Sequence, residues 1–437
     1  MKYLSKITLN INKLDIHTLE VMTKSITSLF VKVGGVLIGM LVSIALGRIL
    51  GPDGYGIINL AERVINILII VCLLGVRQLI VKNIAIAKEH EDFQSIGNIM
   101  HSAYILNGVV TLLLSSIFII ISPWLSNDVF HEPRLTIPLM IFLVGLTPQV
   151  MSRLLSSGLI GYRKIWQSNL VEQTLSIAIT GLFLFLLYFI GLEITVNIVA
   201  VIYVIGRIGV TITVSMYWSS LFTFKSKWER KSITLFRDSL PLFLSSVSTI
   251  IISNSDVIIL GIFASTSDIG LYGIAIKIAL LTSFFLQITN SSVGPKIAAL
   301  YFNGSIMETE QMVKKVTRVL LICGLVSIVI FIFFGNLILS LWGDEFQAAY
   351  IILLILSFGQ LFNIGTGAAG QILTMTGHEK FNRNITVFYM ILNILLNYIF
   401  IKKFGILGAA FINSFTVISL NVTRVIYAKK LTGISTI

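Results

Sequence analysis

Twelve runs of about 20 mainly apolar residues follow one another along this chain, and no other feature limits its fold as severely. They lie near 25–45, 56–81, 100–121, 137–158, 169–190, 196–217, 239–263, 270–292, 319–341, 349–373, 385–401 and 407–426. At ~1.5 Å per residue, each is long enough to cross ~30 Å of hydrocarbon as a helix. In lipid, backbone N–H and C=O groups need partners inside their own segment, so the runs predict helices. The fourth, interrupted by Pro148 and Arg153, and the short eleventh are the least regular.

Composition closes the soluble alternative. Of 437 residues, 56% are hydrophobic and 12% charged, where a soluble domain carries about 25% charged. The longest connections, near 218–238 and 293–318, are too short for a nucleotide-binding or catalytic domain. No Gly-x-x-x-x-Gly-Lys-Ser/Thr loop is present, so ATP is not the expected direct energy source. His17, His90, His101, His131 and His378 lack ligand spacing, and Cys72 and Cys323 stand inside apolar runs. With no triad or paired carboxylates recognisable, neither a metal site nor an enzyme is expected.

Charge placement orients the chain. The net charge of +12 would suit nucleic acid, but its distribution does not. Of 32 Lys and Arg, 22 fall on the side that holds the N-terminus, and four (Arg48, Arg134, Lys402 and Lys403) on the other. This bias places both termini in the cytoplasm and agrees with an even number of spans. Residues 1–24 interleave Lys2, Lys6, Lys13 and Lys24 with Leu4, Ile7, Ile11 and Leu14. That spacing predicts an amphipathic helix on the membrane surface, not a cleavable signal. The expected layout is that segment, a lobe of six helices over 25–217, a cytoplasmic linker over 218–238, and a second six-helix lobe over 239–437 with a short cytoplasmic tail.

One plan is read twice. Leu46-Gly47-Arg48-Ile49-Leu50-Gly51-Pro52-Asp53-Gly54-Tyr55-Gly56 leaves one span and opens the next. Leu260-Gly261, Asp268-Ile269-Gly270 and Tyr272-Gly273 do the same in the second half. Gly47 and Gly261 stand 214 residues apart; Gly161-Tyr162-Arg163-Lys164 and Gly377-His378-Glu379-Lys380 stand 216 apart. Six duplicated helices are an even number, so the copies share one orientation about an axis along the membrane normal, as in one class of secondary transporter.

These residues also resemble a family. The Gly47–Gly56 motif is similar to the first hairpin of polysaccharide-export flippases, the Wzx-type branch of the multidrug/oligosaccharidyl-lipid/polysaccharide (MOP) superfamily. Gly377-His378-Glu379-Lys380 and Phe404-Gly405-Ile406-Leu407-Gly408-Ala409-Ala410 resemble its later landmarks, in the same order. Lys402-Lys403-Phe404-Gly405 departs from a frequent Pro-x-Tyr-Gly turn. The resemblance implies an all-α, MATE-like membrane fold of twelve helices in two lobes related by a pseudo-two-fold axis. It further implies a central cavity that passes polyprenyl-diphosphate-linked oligosaccharide from the cytoplasmic to the outer leaflet of a prokaryotic cell membrane.

Six basic residues fall within membrane depth: Lys32, Arg63, Arg77, Arg153, Arg207 and Lys277; the acids are Glu62, Glu172 and Asp256. A charge at mid-bilayer costs roughly 2.5–3.5 kcal/mol on insertion scales, so such groups should face the bundle or a wet cavity. Lys32, Arg63 and Lys277 are the candidate ligands of a diphosphate headgroup. Arg63 and Lys277 are placed three residues apart in equivalent helices when Tyr55 is aligned with Tyr272, which puts them on one face. Their structural alternatives are an ion network for Arg63 beside Glu62 and snorkelling for Lys32. Arg77 and Arg153, near span ends, are expected to snorkel. Arg207 and Glu172 are expected to pair and brace one lobe.

Asp256, in the polar run Ser253-Asn254-Ser255-Asp256, and Glu62 are candidates for coupling to H⁺ or Na⁺; an ion pair of Asp256 with Lys277 is the alternative. Gln287, Asn290, Gln360 and Asn363 suit helix–helix hydrogen bonds or sugar hydroxyls. No other cofactor is expected. The expected partners are the lipid-linked glycan, membrane lipid and other membrane proteins of polysaccharide assembly, with the chain a monomer and no nucleic acid bound. The rival readings are a cation-coupled multidrug exporter of the same fold, a peptidoglycan-precursor flippase, and a membrane-embedded sugar polymerase or ligase. Six cations against three acids disfavours an exporter of cations, and the longest outer connection, 122–136, is short for a catalytic loop.

Overall fold

Long helices account for nearly all of the chain in the computed structural model, which describes residues 16–221 and 232–436. Residues 1–15 of the expected surface segment and 222–231 of the expected linker lie outside them. In order, the helices are α1 Ile16–Leu73, α2 Val76–Glu89, α3 Phe93–Trp124, α4 Thr136–Val144, α5 Leu146–Gly161, α6 Ile165–Asn169 and α7 Leu175–Phe189. After these come α8 Val196–Leu221, α9 Ser232–Phe263, α10 Thr266–Phe302, α11 Ile306–Ser340, α12 Tyr350–Gly365, α13 Ala369–Met375 and α14 Glu379–Thr432. No strand is present among the described residues.

Eight helical stretches are long and apolar enough to cross a bilayer, or ten when two bent pairs each count as one. Two of these stretches belong to α1 and α14, of 58 and 54 residues, some 80 Å each, which is far more than one crossing needs. Each is broken where only glycine is at ease, Gly51 at φ 63° and Gly405 at φ 55°. Twelve crossings, as the sequence predicts, would require α1 and α14 each to cross twice, on either side of these breaks.

Several predicted spans are interrupted. The fourth bends by 41° between α4 and α5 at Gly145, not at Pro148, because a proline in the first turn of α5 forfeits no helical bond. The fifth bends by 42° at a π-turn over Leu170–Thr174. The second stops at Leu73 before Gly75 (φ 74°), and the tenth stops at Gly365 before Gly367 (φ 64°). Phe189, Ile120 and Phe333 are 82%, 77% and 76% exposed, a surface that only lipid makes favourable; the chain is a multi-pass membrane protein.

The two halves of the chain meet along a seam, and its tightest point is a reciprocal contact. A Cβ on Gly56 would overlap the carbonyl oxygen of Thr266, and one on Gly270 would overlap that of Pro52. Gly56 and Gly270 stand 214 residues apart, as do Pro52 and Thr266. Each half therefore presents the same glycine to the same carbonyl of the other, the signature of a two-fold relation. This register also corrects the alignment taken from the Tyr-Gly dipeptides. Gly56 matches Gly270, not Gly273, and Arg63 and Lys277 become equivalent positions.

Two of the segments assigned by charge to one side, those of Arg48 and Arg134, meet at one end of this seam. Arg134 forks onto Asp53 at 2.6 and 3.1 Å, and Thr266 donates to the same carboxylate. Arg48 Nε donates to the Leu341 carbonyl at 2.8 Å. Fully buried Trp342 donates to Ser43 at 2.9 Å and packs on Gly47, where a Cβ would stand 2.7 Å from its ring.

Candidate functional site

Below that end, the second part of α1 and helix α10 run side by side and set the two predicted cations at the seam. Arg63 donates from Nε to Asn59 at 3.2 Å and from Nη1 to Asn254 of the other half at 3.3 Å. Lys277 donates to the Gly39 carbonyl, also across the seam, at 3.4 Å. Both cations are partly buried, and among the described residues neither makes an ion pair. Their acceptors are neighbouring but not equivalent positions: Gly39 and Asn254 stand 215 residues apart, one more than the repeat.

Lys277 and Gly39 line a small pocket of about 40 Å³ together with Ser43, Tyr55, Asn59 and Glu62 among others, and Arg63 reaches its wall only through Asn59. Asn59 serves both sides, accepting from Arg63 while its amide donates to the Ile269 carbonyl of the other half at 3.3 Å. A second, water-sized pocket of about 10 Å³ shares Glu62 and Tyr203 and adds Gln149 and Arg207. Tyr203 donates to Glu62 at 3.2 Å, and the Arg207 guanidinium lies 5.9 Å from the Tyr203 ring. Towards the opposite end, a cavity of about 290 Å³ brings Arg77, Gln78 and Ser157 of the first half against Ser246 of the second.

One expected ion pair is replaced, and one alternative pairing is not formed. Glu172 takes Arg77, not Arg207, as its ion-pair partner and also accepts from Ser156. The π-turn at 170–174 sets where Glu172 points, which regular helical spacing could not foretell. Asp256 is not bonded to Lys277. It is fully buried and accepts from Tyr272, from Asn413 at 3.0 Å and from the Val257 N–H at 2.8 Å. Next to it Ser255 donates to Asn393, which donates to Thr416 and accepts from Asn397. Lys32 is not at the pocket. It stands seven residues before Gly39, about 10 Å along α1, and is partly exposed.

Of the amides, Asn363 donates to Gln360 within α12 and accepts from Asn421 of α14, the latter a helix–helix bond. The acceptors around the cations, Asn59, Asn254 and Gly39, escaped the sequence reading. Asn59 had a usable signal, one helical turn before Arg63; Asn254 stood in the polar run read for Asp256, and the Gly39 carbonyl had none.

Comparison with known proteins gives this geometry a context. The profile described as polysaccharide biosynthesis protein matches residues 21–300, and that described as MatE matches 241–399. The probable low-salt glycan biosynthesis flippase Agl15 of Haloferax volcanii is 28% identical over 233 residues, 52% of this chain and 48% of that protein. The chain thus spans about half the length of that relative. Among solved structures, an inward-facing multidrug resistance MATE family transporter of the MOP superfamily superposes with a TM-score of 0.74 at 14% identity. The match covers 94% of this chain and 98% of that one. Lipid II flippase MurJ in an inward closed conformation gives 0.72 at 16% identity, over 93% and 87% of the two chains. The fold is MATE-like.

Proposed function

The chain belongs to the polysaccharide biosynthesis protein family, whose profile covers more than half of it, and on that premise we propose that it is a flippase, not an enzyme. Its cargo in this reading is polyprenyl-diphosphate-linked oligosaccharide, moved from the cytoplasmic to the outer leaflet of a prokaryotic cell membrane, with both termini cytoplasmic. The observation that carries the reading is the pair of equivalent cations, Arg63 and Lys277, each reaching across the seam to a neutral oxygen. Amide and carbonyl oxygens orient a cation without cancelling its charge, so an anion entering between the halves gains both. A diphosphate suits that placement, and a cationic drug does not.

A headgroup cannot fit the 40 Å³ pocket, so the reading requires the halves to part. The end bearing Asp53, Trp342 and the paired glycines is closed, and entry is assigned to the cytoplasmic end, where Arg77 borders the larger cavity. Lys32 makes first contact with the headgroup, which then reaches Arg63 and Lys277 while the prenyl chain stays in lipid. Coupling to H⁺ or Na⁺ is assigned to Asp256, with Glu62 as second candidate. Charge movement in the membrane potential supplies about 2.3 kcal/mol per charge per 100 mV.

The test is flipping of a fluorescent polyprenyl-diphosphate sugar in proteoliposomes. Arg63→Ala/Lys277→Ala should reduce the rate at least ~100-fold, given about 1.5–3 kcal/mol for each charged hydrogen bond. Unimpaired flipping by the double variant would remove these residues from the mechanism. Export of organic cations in place of flipping would hand the chain to the multidrug reading.

A further inference from the structure

A second compartment lies on the lipid side of the same wall. Between α1 and α7 runs an open valley of about 580 Å³, with Ile38, Leu41, Ala45 and Phe185 on its sides and Arg48 and Tyr188 at its outer mouth. The helical spacing of 38, 41, 45 and 48 puts these α1 residues on one face. The two helices touch at the floor, where a Cβ on Gly181 would stand 2.7 Å from Val42. Val42 lines this valley and also the inner pocket that holds Lys277.

The mouth is charged and unspent. Arg134, also among the four outer cations, is committed to Asp53 and Glu132. Arg48 commits only Nε, to the Leu341 carbonyl, and among the described residues its two terminal nitrogens have no hydrogen-bond partner. The exposed guanidinium therefore presents a free fork, a shape that matches phosphate oxygens. A trough between two adjacent helices seats one chain, whereas a diacyl lipid brings two. The pocket that holds Lys277 lies directly behind Val42, so the valley adjoins the proposed headgroup site.

We propose that the valley between α1 and α7 is the outer-leaflet seat of the translocated lipid, with its phosphate on Arg48 and its first isoprene units against Leu41, Ala45 and Phe185. The assignment rests on the flippase reading and adds to it the place where the product arrives.

The experiment is photolabelling in phosphatidylcholine nanodiscs with a diazirine-tagged short-chain polyprenyl diphosphate, followed by peptide mapping. The wild type should be labelled within 38–49 and 178–188, and untagged polyprenyl diphosphate should compete while phosphatidylglycerol should not. Arg48→Gln should lower labelling about tenfold, the worth of one charged hydrogen bond, and Arg48→Lys should regain part of it. Ala45→Trp fills the trough with Arg48 in place and should abolish it. Labelling that survives both Arg48→Gln and Ala45→Trp, or that phosphatidylglycerol displaces equally, overturns the seat. Flipping by the same wild-type sample without valley labelling overturns the seat alone. Valley labelling without flipping keeps the seat for a prenyl diphosphate and overturns the flippase reading.

Discussion

The two ends of the seam are built from different materials. At the end that the proposed orientation places outside, the outer end below, the halves touch backbone to backbone, through Gly56 on Thr266 and Gly270 on Pro52, under fully buried Trp342 and Phe346. Deeper in, they touch through long side chains, Arg63 to Asn254 at 3.3 Å and Lys277 to Gly39 at 3.4 Å, beside a pocket. Close-packed backbone has one good arrangement and opens as a unit. Extended cations at weak hydrogen-bond distance can exchange neutral oxygens for phosphate oxygens at little cost. In the proposed reading closure and recognition are thus separated by depth, and each can be attacked alone.

The largest effect should come from the glycines. Gly56→Val sets two methyls where Thr266 already stands, and no rotamer relieves a clash that begins at Cβ. The outer end should then fail to close. Transport should fall at least ~100-fold, the result of a penalty of about 3 kcal/mol or more. Leu46→Cys, buried beside the inner pocket, should in that background react with an impermeant thiol reagent. Normal transport by Gly56→Val would show that the contact is not needed for closure.

Trp342→Ala comes next. It leaves a void against Gly47 and removes one of the two hydrogen-bond partners of Ser43, which keeps Tyr55 at 3.1 Å. Truncation of a buried aromatic costs about 3–5 kcal/mol in soluble cores. Here the loss falls on one conformation, so the population should shift outward while the chain still inserts. Thiol labelling at Leu46→Cys should rise and thermal unfolding of the purified protein should move down. An unchanged labelling rate would place the latch elsewhere.

The comparison also shows which parts of the molecule are legible in sequence. Periods of apolar residues report the helices, because lipid enforces backbone satisfaction within each segment. Arg63 and Lys277 stand out because charge is scarce at that depth. Their equivalence was misjudged by three residues because Tyr55-Gly56 and Tyr272-Gly273 look alike as text. The constraint that fixes the register is the room for a carbonyl at Gly56 and Gly270, which only packed backbones reveal. Glu172 was assigned to Arg207 for a similar reason: the π-turn and the bend beside it decide its direction, and Arg77 is the residue in reach. Asp256 was found as a lone acid in an apolar run, but its partners Tyr272 and Asn413 come from separate helices, with no spacing rule to announce them.

The smallest effect belongs to the exposed rim of the outer end, and its sign is set by Glu132. Arg134 bonds Glu132 at 2.7 Å and Asp53 at 2.6 Å. Hydrogen bonds from Arg134 hold the Glu132 carboxyl below its usual range, ahead of a smaller opposing contribution from burial. A depressed carboxyl stabilises the rim of the first half above its ordinary pKa, ~4.3, and that contribution fades as pH falls through the lowered value; it reaches the other half only through Asp53, which accepts from Thr266. Between pH 7 and 5 the rim should therefore be constant, and only below about pH 4 should it loosen. Arg134 is 59% exposed, so salt screens the cluster and its worth is about 1 kcal/mol or less. Glu132→Gln should accordingly raise thiol labelling at Leu46→Cys less than fivefold at pH 7 and flatten the acid response below pH 4. If Glu132→Gln matched Gly56→Val in effect, charge and not backbone contact would be what closes the outer end.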